Sequence, residues 1–261
     1  MLTGRQLASM GNVDGAVYRV RLNGEPIYVN SATVEASLGE VLDHFESQCV
    51  KDAGGLDRIF ASLSSNLKAG LDKVDGSARI GVVRQQKGQE GMIACLAQEP
   101  LDDLVDLPSR LSRFVESGNL SDVGDLRYVY ATATEEGRTH VVSVWTDGDF
   151  NLFRVVPRIG EDAPGSDSPN APRPGEAVRL LSAWVEGAPY GVRVYDSAKA
   201  QADVLAMYDA EMPSRGWVSV DKVADNVPWG RAYTREGVDM MVFVSEEKGR
   251  TYISVVEMHP R

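Results

Sequence analysis

The stretches Val41–Cys49 (VLDHFESQC) and Val204–Met212 (VLAMYDAEM) share one pattern, with large apolar residues at their first, second, fifth and ninth positions. This spacing gathers the apolar side chains on one face of a helix, as in helices that pack against a sheet. Phe45 and Tyr208 stand at the fifth position. We therefore expect two helices, each covering a sheet, with the rest of the chain organised around them.

Two further pieces match between the halves of the chain, in the same order. Residues 30–32 (NSA) resemble residues 196–198 (DSA) just before each helix, and residues 137–141 (GRTHV) resemble residues 249–253 (GRTYI) at a turn that enters a late strand. Three matches in one order favour duplication of a β-α-β-β-β unit.

Alternating apolar and polar residues predict several strands, joined by turn signals such as Asn23-Gly24. Strands are predicted at residues 17–22, 27–29, 79–84, 92–97, 127–133, 139–145, 150–156, 178–185, 192–195, 233–235, 238–244 and 251–256. The predicted fold class is α+β: two related modules of antiparallel sheet with a helix packed on one face. Helices at residues 56–71 and 101–115 enlarge the first module.

The best domain boundary is the segment of residues 160–175 (GEDAPGSDSPNAPRPG), which has four prolines and no large apolar residue. Such a segment buries too little apolar surface to offset its ordering entropy. We expect a linker or long exposed loop there. It would separate an N-terminal domain, residues 1–159, from a C-terminal module, residues 176–261.

The net charge of −11 and the pI near 4.8 argue against nucleic acid as a partner, because a surface rich in carboxylates repels phosphates. No segment approaches the ~18 consecutive apolar residues that a membrane-spanning helix needs, so we expect no transmembrane segment. Residues 1–15 show no apolar core of a signal peptide, although a chain trimmed of a leader or anchor would look the same.

The chain has two cysteines, one late on the first predicted helix and one on a predicted strand. If that helix packs on that sheet, Cys49 and Cys95 could form a disulfide that stabilises the fold by roughly 3–4 kcal/mol. An oxidising periplasm would permit the bond. Two buried thiols, with Cys49 as a core residue matching Met212, and a reactive cysteine are the alternatives.

The candidate catalytic and metal-binding residues do not have the spacing in the sequence that such sites need. His44 and Cys49 are about 140° apart around a helix, so they do not form a nucleophile–base pair, and His44 is expected on the solvated face. Ser65 and Lys68 fit an S-x-x-K pattern, but its companion motifs are absent from the sequence. The three histidines have no ligand spacing. We therefore expect no catalytic residues, no metal and no cofactor.

One tryptophan is a candidate contact residue. Trp229 follows a proline in the loop of residues 226–230 (NVPWG), where an exposed ring would serve as an anchor for a protein partner. The alternative is that this ring packs against the edge of a sheet.

The second half of the chain also resembles a known group of proteins. A strand, a helix with Leu205 and Tyr208, then Gly216-Trp217 and three strands, over residues 190–258, resemble small modules of uncharacterised bacterial envelope proteins and lipoproteins. The resemblance implies a bacterial, periplasmic or envelope-associated, non-catalytic module, and it defines no functional residues. The first half departs from it, with Gly54-Gly55 where Gly-Trp would stand.

From these features we expect a non-enzymatic binding or scaffolding protein of a bacterial cell envelope that acts through protein–protein contacts. Such contacts would use sheet edges or an uncovered sheet face. The alternative is a small-molecule-binding or hydrolytic protein with a site in a cleft between the two modules, because sites of that kind leave no local motif.

Overall fold

A computed structural model describes residues 16–52, 82–97, 107–156, 158–188, 190–220 and 228–258. The chain divides into two compact units, the first made of residues 1–19 and 27–152 and the second of residues 20–26 and 153–261. The described residues form mostly antiparallel strands, together with four α-helices. The α+β fold class is therefore confirmed.

The first unit is built on a sheet with the strand order β3-β4-β5-β6-β2. Its strands are β2 (Glu25–Val34), β3 (Val82–Lys87), β4 (Glu90–Ala97), β5 (Asp125–Ala133) and β6 (Thr139–Trp145). The chain passes from β2 into helix α1 (Leu38–Asp52), which packs on β3, β4 and β5. The predicted helix on a sheet is thus present in this unit.

Helix α1 begins at a capping box, whose sequence signature is Ser37 followed three residues later by Glu40. The backbone N of Ser37 donates to Glu40 Oε2 at 2.8 Å, and the backbone N of Glu40 donates to Ser37 Oγ at 3.3 Å. These bonds satisfy N–H groups that a helix start leaves without partners. The buried face of α1 consists of the predicted apolar stripe: Leu38, Val41, Leu42, Phe45 and Cys49.

Three shorter elements complete the first unit and the start of the second. They are α2 (Leu107–Ser117), a 3-10 turn (Leu120–Asp122) and α3 (Leu152–Val155). Helix α2 overlaps the helix predicted at residues 101–115, whereas the helix predicted at residues 56–71 lies outside the described residues. The strand predicted at residues 150–156 is wrong, because four of those residues form α3. A short apolar run does not by itself distinguish a strand from a helical turn.

The second unit has a sheet with the strand order β1-β7-β8-β12-β11-β10-β9. Its strands are β1 (Tyr18–Leu22, of which residues 20–22 belong here), β7 (Val178–Val185), β8 (Gly191–Ser197), β9 (Val218–Ser219), β10 (Gly230–Arg235), β11 (Val238–Glu247) and β12 (Arg250–Met258). Helix α4 (Gln201–Ser214) follows β8 and packs on β9, β10 and β11. Tyr208 of this helix and Trp217 are buried in the core of the unit.

Of the three sequence matches between the halves, the helix match and the match at the late strand fall at corresponding places in the structure. The match before the helices does not. Thr139 pairs with Val34, four residues before α1 begins, and Thr251 pairs with Ser197, four residues before α4 begins. The residue that corresponds to Ser197 is therefore Val34 rather than Ser31. The sequence match of residues 30–32 with residues 196–198 is therefore shifted by three residues from the correspondence in the structure.

Residues 20–26, the tip of the β1–β2 hairpin, belong to the second unit although they lie near the start of the sequence. Asn23 is buried there: its Oδ1 accepts from the backbone N of Ser182 at 2.8 Å, and its Nδ2 donates to the carbonyl of Val155 at 2.7 Å. Arg21 pairs with Glu186 at 2.5 Å. The expected domain limits of 1–159 and 176–261 therefore differ from the observed units, because long-range strand pairing carries this hairpin tip into the second one.

The proline-rich segment, residues 160–175, is part of the second unit and not a linker between domains. Ala163 is fully buried, and its backbone N donates to the carbonyl of Arg179 at 2.7 Å. Gly165 lies so close to Ser182 that an added Cβ would come within 2.8 Å of its Cβ, and its φ of +110° favours glycine. The segment packs without large apolar side chains because small residues allow its backbone to approach the strands.

Polar contacts within this segment, and from residues later in the chain, hold it in place. Arg173 forms two bonds to the carboxylate of Asp162, at 2.6 and 2.7 Å. Trp217 donates from Nε1 to the carbonyl of Asn170 at 3.2 Å. The hydroxyl of Ser168 donates to Glu257, which lies 3.6 Å from Arg193, and all three of these side chains are buried. Charge-assisted hydrogen bonds thus hold the proline-rich segment in place of buried apolar side chains.

Candidate functional site

Trp229 is half exposed, at 50%, beside the first residue of β10. Its backbone carbonyl accepts a hydrogen bond from the N–H of Val244 at 2.8 Å, which ties the loop to β11. Its ring lies 5.6 Å from the ring of Phe243, at a tilt of 44°. The tryptophan therefore has a fixed backbone and one ring contact, and half of its surface faces solvent.

An apolar groove of about 670 Å³ opens beside this tryptophan, within the second unit. Its size is that of sites that bind small ligands or anchor side chains. The groove runs between the first turns of α4, the loop before β10 and the end of β11, and most of its lining is apolar. The lining residues are Gln201, Ala202, Leu205, Pro228, Trp229, Val244 and Ser245.

The walls of the groove follow from the helix-on-sheet packing. Leu205 belongs to the apolar stripe of α4, and Val244 is a buried residue of β11. Gln201 fixes the helix end to the strand: its Nε2 donates to the carbonyl of Val244 at 2.9 Å, and its backbone N donates to Glu246 Oε1 at 2.9 Å. These two bonds fix the helix wall of the groove relative to the strand wall.

Exposed carboxylates stand around the groove. Asp203 follows the lining residue Ala202, and Glu246 and Glu247 follow the lining residue Ser245. Lys248 lies 3.4 Å from Glu247, and Arg231 lies 2.8 Å from Asp209. Asp203 and Glu246 have no ion pair among the described residues, so they leave negative charge beside the groove.

Cys49 and Cys95 are joined by a disulfide that connects α1 to β4, with their Cα atoms 5.9 Å apart. Both residues are buried. In this state neither sulfur is a free nucleophile. His44, expected on the solvated face of α1, is partly buried, and its Nε2 has no hydrogen-bond partner among the described residues.

A second histidine makes contacts that the sequence did not indicate. The ring of exposed His140 lies 3.2 Å from Ser31 Oγ through Nε2 and 3.3 Å from Thr33 Oγ1 through Nδ1. In a nucleophilic site the imidazole is oriented by a third group, most often a carboxylate. Here that place is taken by a threonine hydroxyl, so the arrangement is a polar contact between β2 and β6 on the surface.

Within the described ranges, no three His, Cys, Asp or Glu side chains are grouped so that they could hold a metal ion. His259 and the S-x-x-K residues Ser65 and Lys68 lie outside those ranges. Among the helices that the structure describes, none has both the length and the apolar character needed to span a membrane.

Sequence reasoning found one residue of the groove and missed the rest. Trp229 was signalled by its place between Pro228 and Gly230, whereas the other lining residues read as ordinary parts of a helix and a strand. They meet only when α4 packs on β11. Comparison of the chain with family models, with curated proteins and with solved structures finds no match.

Proposed function

We propose that this chain is a non-enzymatic protein-binding module, and that the groove beside Trp229 is its contact site. The observation that carries the proposal is the position of Trp229, half exposed on the wall of an apolar groove. Tryptophan is enriched at the energetic centres of protein interfaces, where its large ring is desolvated by the partner. An uncovered ring next to an apolar groove fits that role.

The contact site is expected to bind by burying apolar surface of a partner and not to catalyse a reaction. The groove is lined by amide, hydroxyl and apolar side chains, and none of its seven lining residues is an acid, a base or a thiol. A partner side chain that enters between Leu205 and Trp229 would leave water and gain contact with both. That arrangement supports binding without turnover.

We further propose that the two units are diverged copies of one helix-on-sheet module. The corresponding pairings of Thr139 with Val34 and of Thr251 with Ser197, each four residues before a helix, support this relation. So does the packing of α1 and α4, each on the strands that follow it in the chain. In this proposal the second copy carries the binding site, and the first contributes to a scaffold.

The proposed location is an oxidising compartment, the bacterial periplasm or cell envelope. The disulfide between Cys49 and Cys95 supports it, since such bonds persist in oxidising compartments and are rare in the cytosol. The buried position of both residues adds to that support, because a disulfide inside a core contributes to the stability of the fold.

The proposal is tested by a substitution that removes the ring of Trp229. Wild-type protein and the Trp229→Ala variant are immobilised and exposed to envelope extract from the producing cell, and bound proteins are quantified by mass spectrometry. A partner that uses the groove should be recovered at least about tenfold less by the variant, as expected for loss of a central interface residue. Val218→Ala, which changes another exposed apolar residue of the same unit, is the matched control. Equal recovery by all three proteins would refute the proposal.

A further inference from the structure

We propose that the partner segment recognised by this groove is an apolar anchor side chain flanked by cationic residues. The inference rests on the proposed binding function and specifies the chemistry of its partner. It combines the apolar lining of the groove with the acidic rim around it.

The lining defines the anchor. Leu205, Val244 and the ring of Trp229 form the apolar walls, and the backbone N–H and carbonyl of Val244 are already bonded to Trp229 and Gln201. A partner therefore gains little from hydrogen bonds to that residue. The groove volume of about 670 Å³ accommodates a large aliphatic or aromatic side chain. The anchor is thus an apolar side chain that fits into the groove.

The rim defines the flanks. Asp203 and Glu246 are exposed next to lining residues and have no ion pair among the described residues, whereas Glu247 is paired with Lys248. The chain as a whole carries a net charge of −11, so its field also attracts cations. A partner with acidic flanks would be repelled, whereas lysine or arginine on either side of the anchor would meet these carboxylates.

Two synthetic peptides test the inference with the intact protein. Each has one phenylalanine at its centre, flanked on both sides by two lysines in one peptide and by two glutamates in the other. Binding is followed by the change in tryptophan fluorescence and, independently, by calorimetry. At about 50 mM salt we expect the lysine-flanked peptide to bind at least about tenfold more tightly. The difference should shrink at about 500 mM salt, because exposed charges are then screened.

Matched variants assign the effect to the rim and to the groove. Glu246→Gln with Asp203→Asn should reduce the preference for the lysine-flanked peptide several-fold. The amide oxygen that the first substitution introduces can still accept the hydrogen bond from the backbone N of Gln201. Trp229→Ala should abolish binding of both peptides. A third peptide with alanine at its centre, still flanked by lysines, should bind at least about tenfold more weakly than the phenylalanine peptide.

The inference is overturned if the glutamate-flanked peptide binds as well, if neither peptide binds, or if the preference persists in the double rim variant. Its failure is distinct from failure of the proposed function. If Trp229→Ala still lowers capture of a natural partner while the peptides show no charge preference, protein binding at the groove stands and only the cationic flanks are wrong.

Discussion

Arg179 Nη1 lies 2.6 Å from Asp167 Oδ1, so a buried arginine on β7 holds the middle of the proline-rich segment. The same guanidinium donates to the carbonyl oxygens of Ala163 and Gly165. Tyr195 donates its hydroxyl to the same carboxylate at 3.2 Å, and burial raises the pKa of this tyrosine to about 12. One arginine thus organises a segment that has almost no apolar side chains of its own.

Replacing Arg179 with leucine should destabilise the protein by about 3 kcal/mol, because the carbonyl groups of Ala163 and Gly165 and the carboxylate of Asp167 each lose a charged hydrogen-bond donor. Unfolding in urea, followed by circular dichroism, measures the change. Arg138→Leu serves as the control: Arg138 forms exposed contacts with Glu136 and Glu35, and its loss should cost less than about 0.5 kcal/mol. Similar losses for the two variants would show that the proline-rich segment does not depend on Arg179.

The bond between Asp162 and Arg173 should make stability fall in acid. Hydrogen bonds from the Arg173 guanidinium hold the pKa of the Asp162 carboxyl below its ordinary value. Because the folded pKa is lower than the unfolded one, this contribution is fully present above about pH 5 and is lost as pH falls through the folded pKa.

The wild type should therefore exceed the Asp162→Asn variant in free energy of unfolding near neutral pH, and the gap should close towards pH 2, as measured by urea titrations at several pH values. Solvent screens the partly exposed carboxylate, so we expect a gap below about 1 kcal/mol. A gap that is the same at both ends of the pH range would contradict the assignment.

Two buried tyrosines of the second unit should respond differently to loss of the hydroxyl. The hydroxyl of Tyr208 has no hydrogen-bond partner among the described residues, whereas that of Tyr233 donates to Asp209 at 3.2 Å. Tyr208→Phe should leave stability unchanged or raise it by up to about 1 kcal/mol, since an unpaired buried polar group is removed. Tyr233→Phe should lower stability by about 1 kcal/mol. Thermal unfolding of both variants checks the contrast, and a larger loss for Tyr208→Phe would reveal a hidden partner.

The disulfide should supply a large share of the stability of the first unit. Cys49 and Cys95 are 46 residues apart in sequence, and the chain-entropy model gives about 4 kcal/mol for a loop of that length. The double variant with alanine at both positions should lose stability of that order in urea titrations without reductant. Thiol titration of the denatured wild type, also without reductant, should detect no free thiol. Two titratable thiols in protein isolated from its own compartment would remove the support for an oxidising location.

Local signals in the sequence were sufficient for α1, α2, α4 and most of the described strands. The spacing of Val41, Leu42, Phe45 and Cys49 predicted the buried face of α1, and Ser37 with Glu40 predicted where that helix begins. Turn residues fixed hairpins in the same way, because positive φ at positions such as Glu236-Gly237 is a property of the local backbone. The residues that form these features are close together in the chain.

By itself, then, the sequence determined the α+β class, the two helix-on-sheet patterns and the candidate role of Trp229, all of which depend on residue type and short spacing. Only the tertiary structure decided that residues 20–26 join the second unit, that the proline-rich segment is held by Arg173 and Arg179, and that a groove opens beside Trp229. Those features rest on hydrogen bonds and packing between residues eleven or more positions apart in sequence. Hydropathy and spacing do not predict such pairings, because each partner alone has the sequence features of an ordinary surface residue.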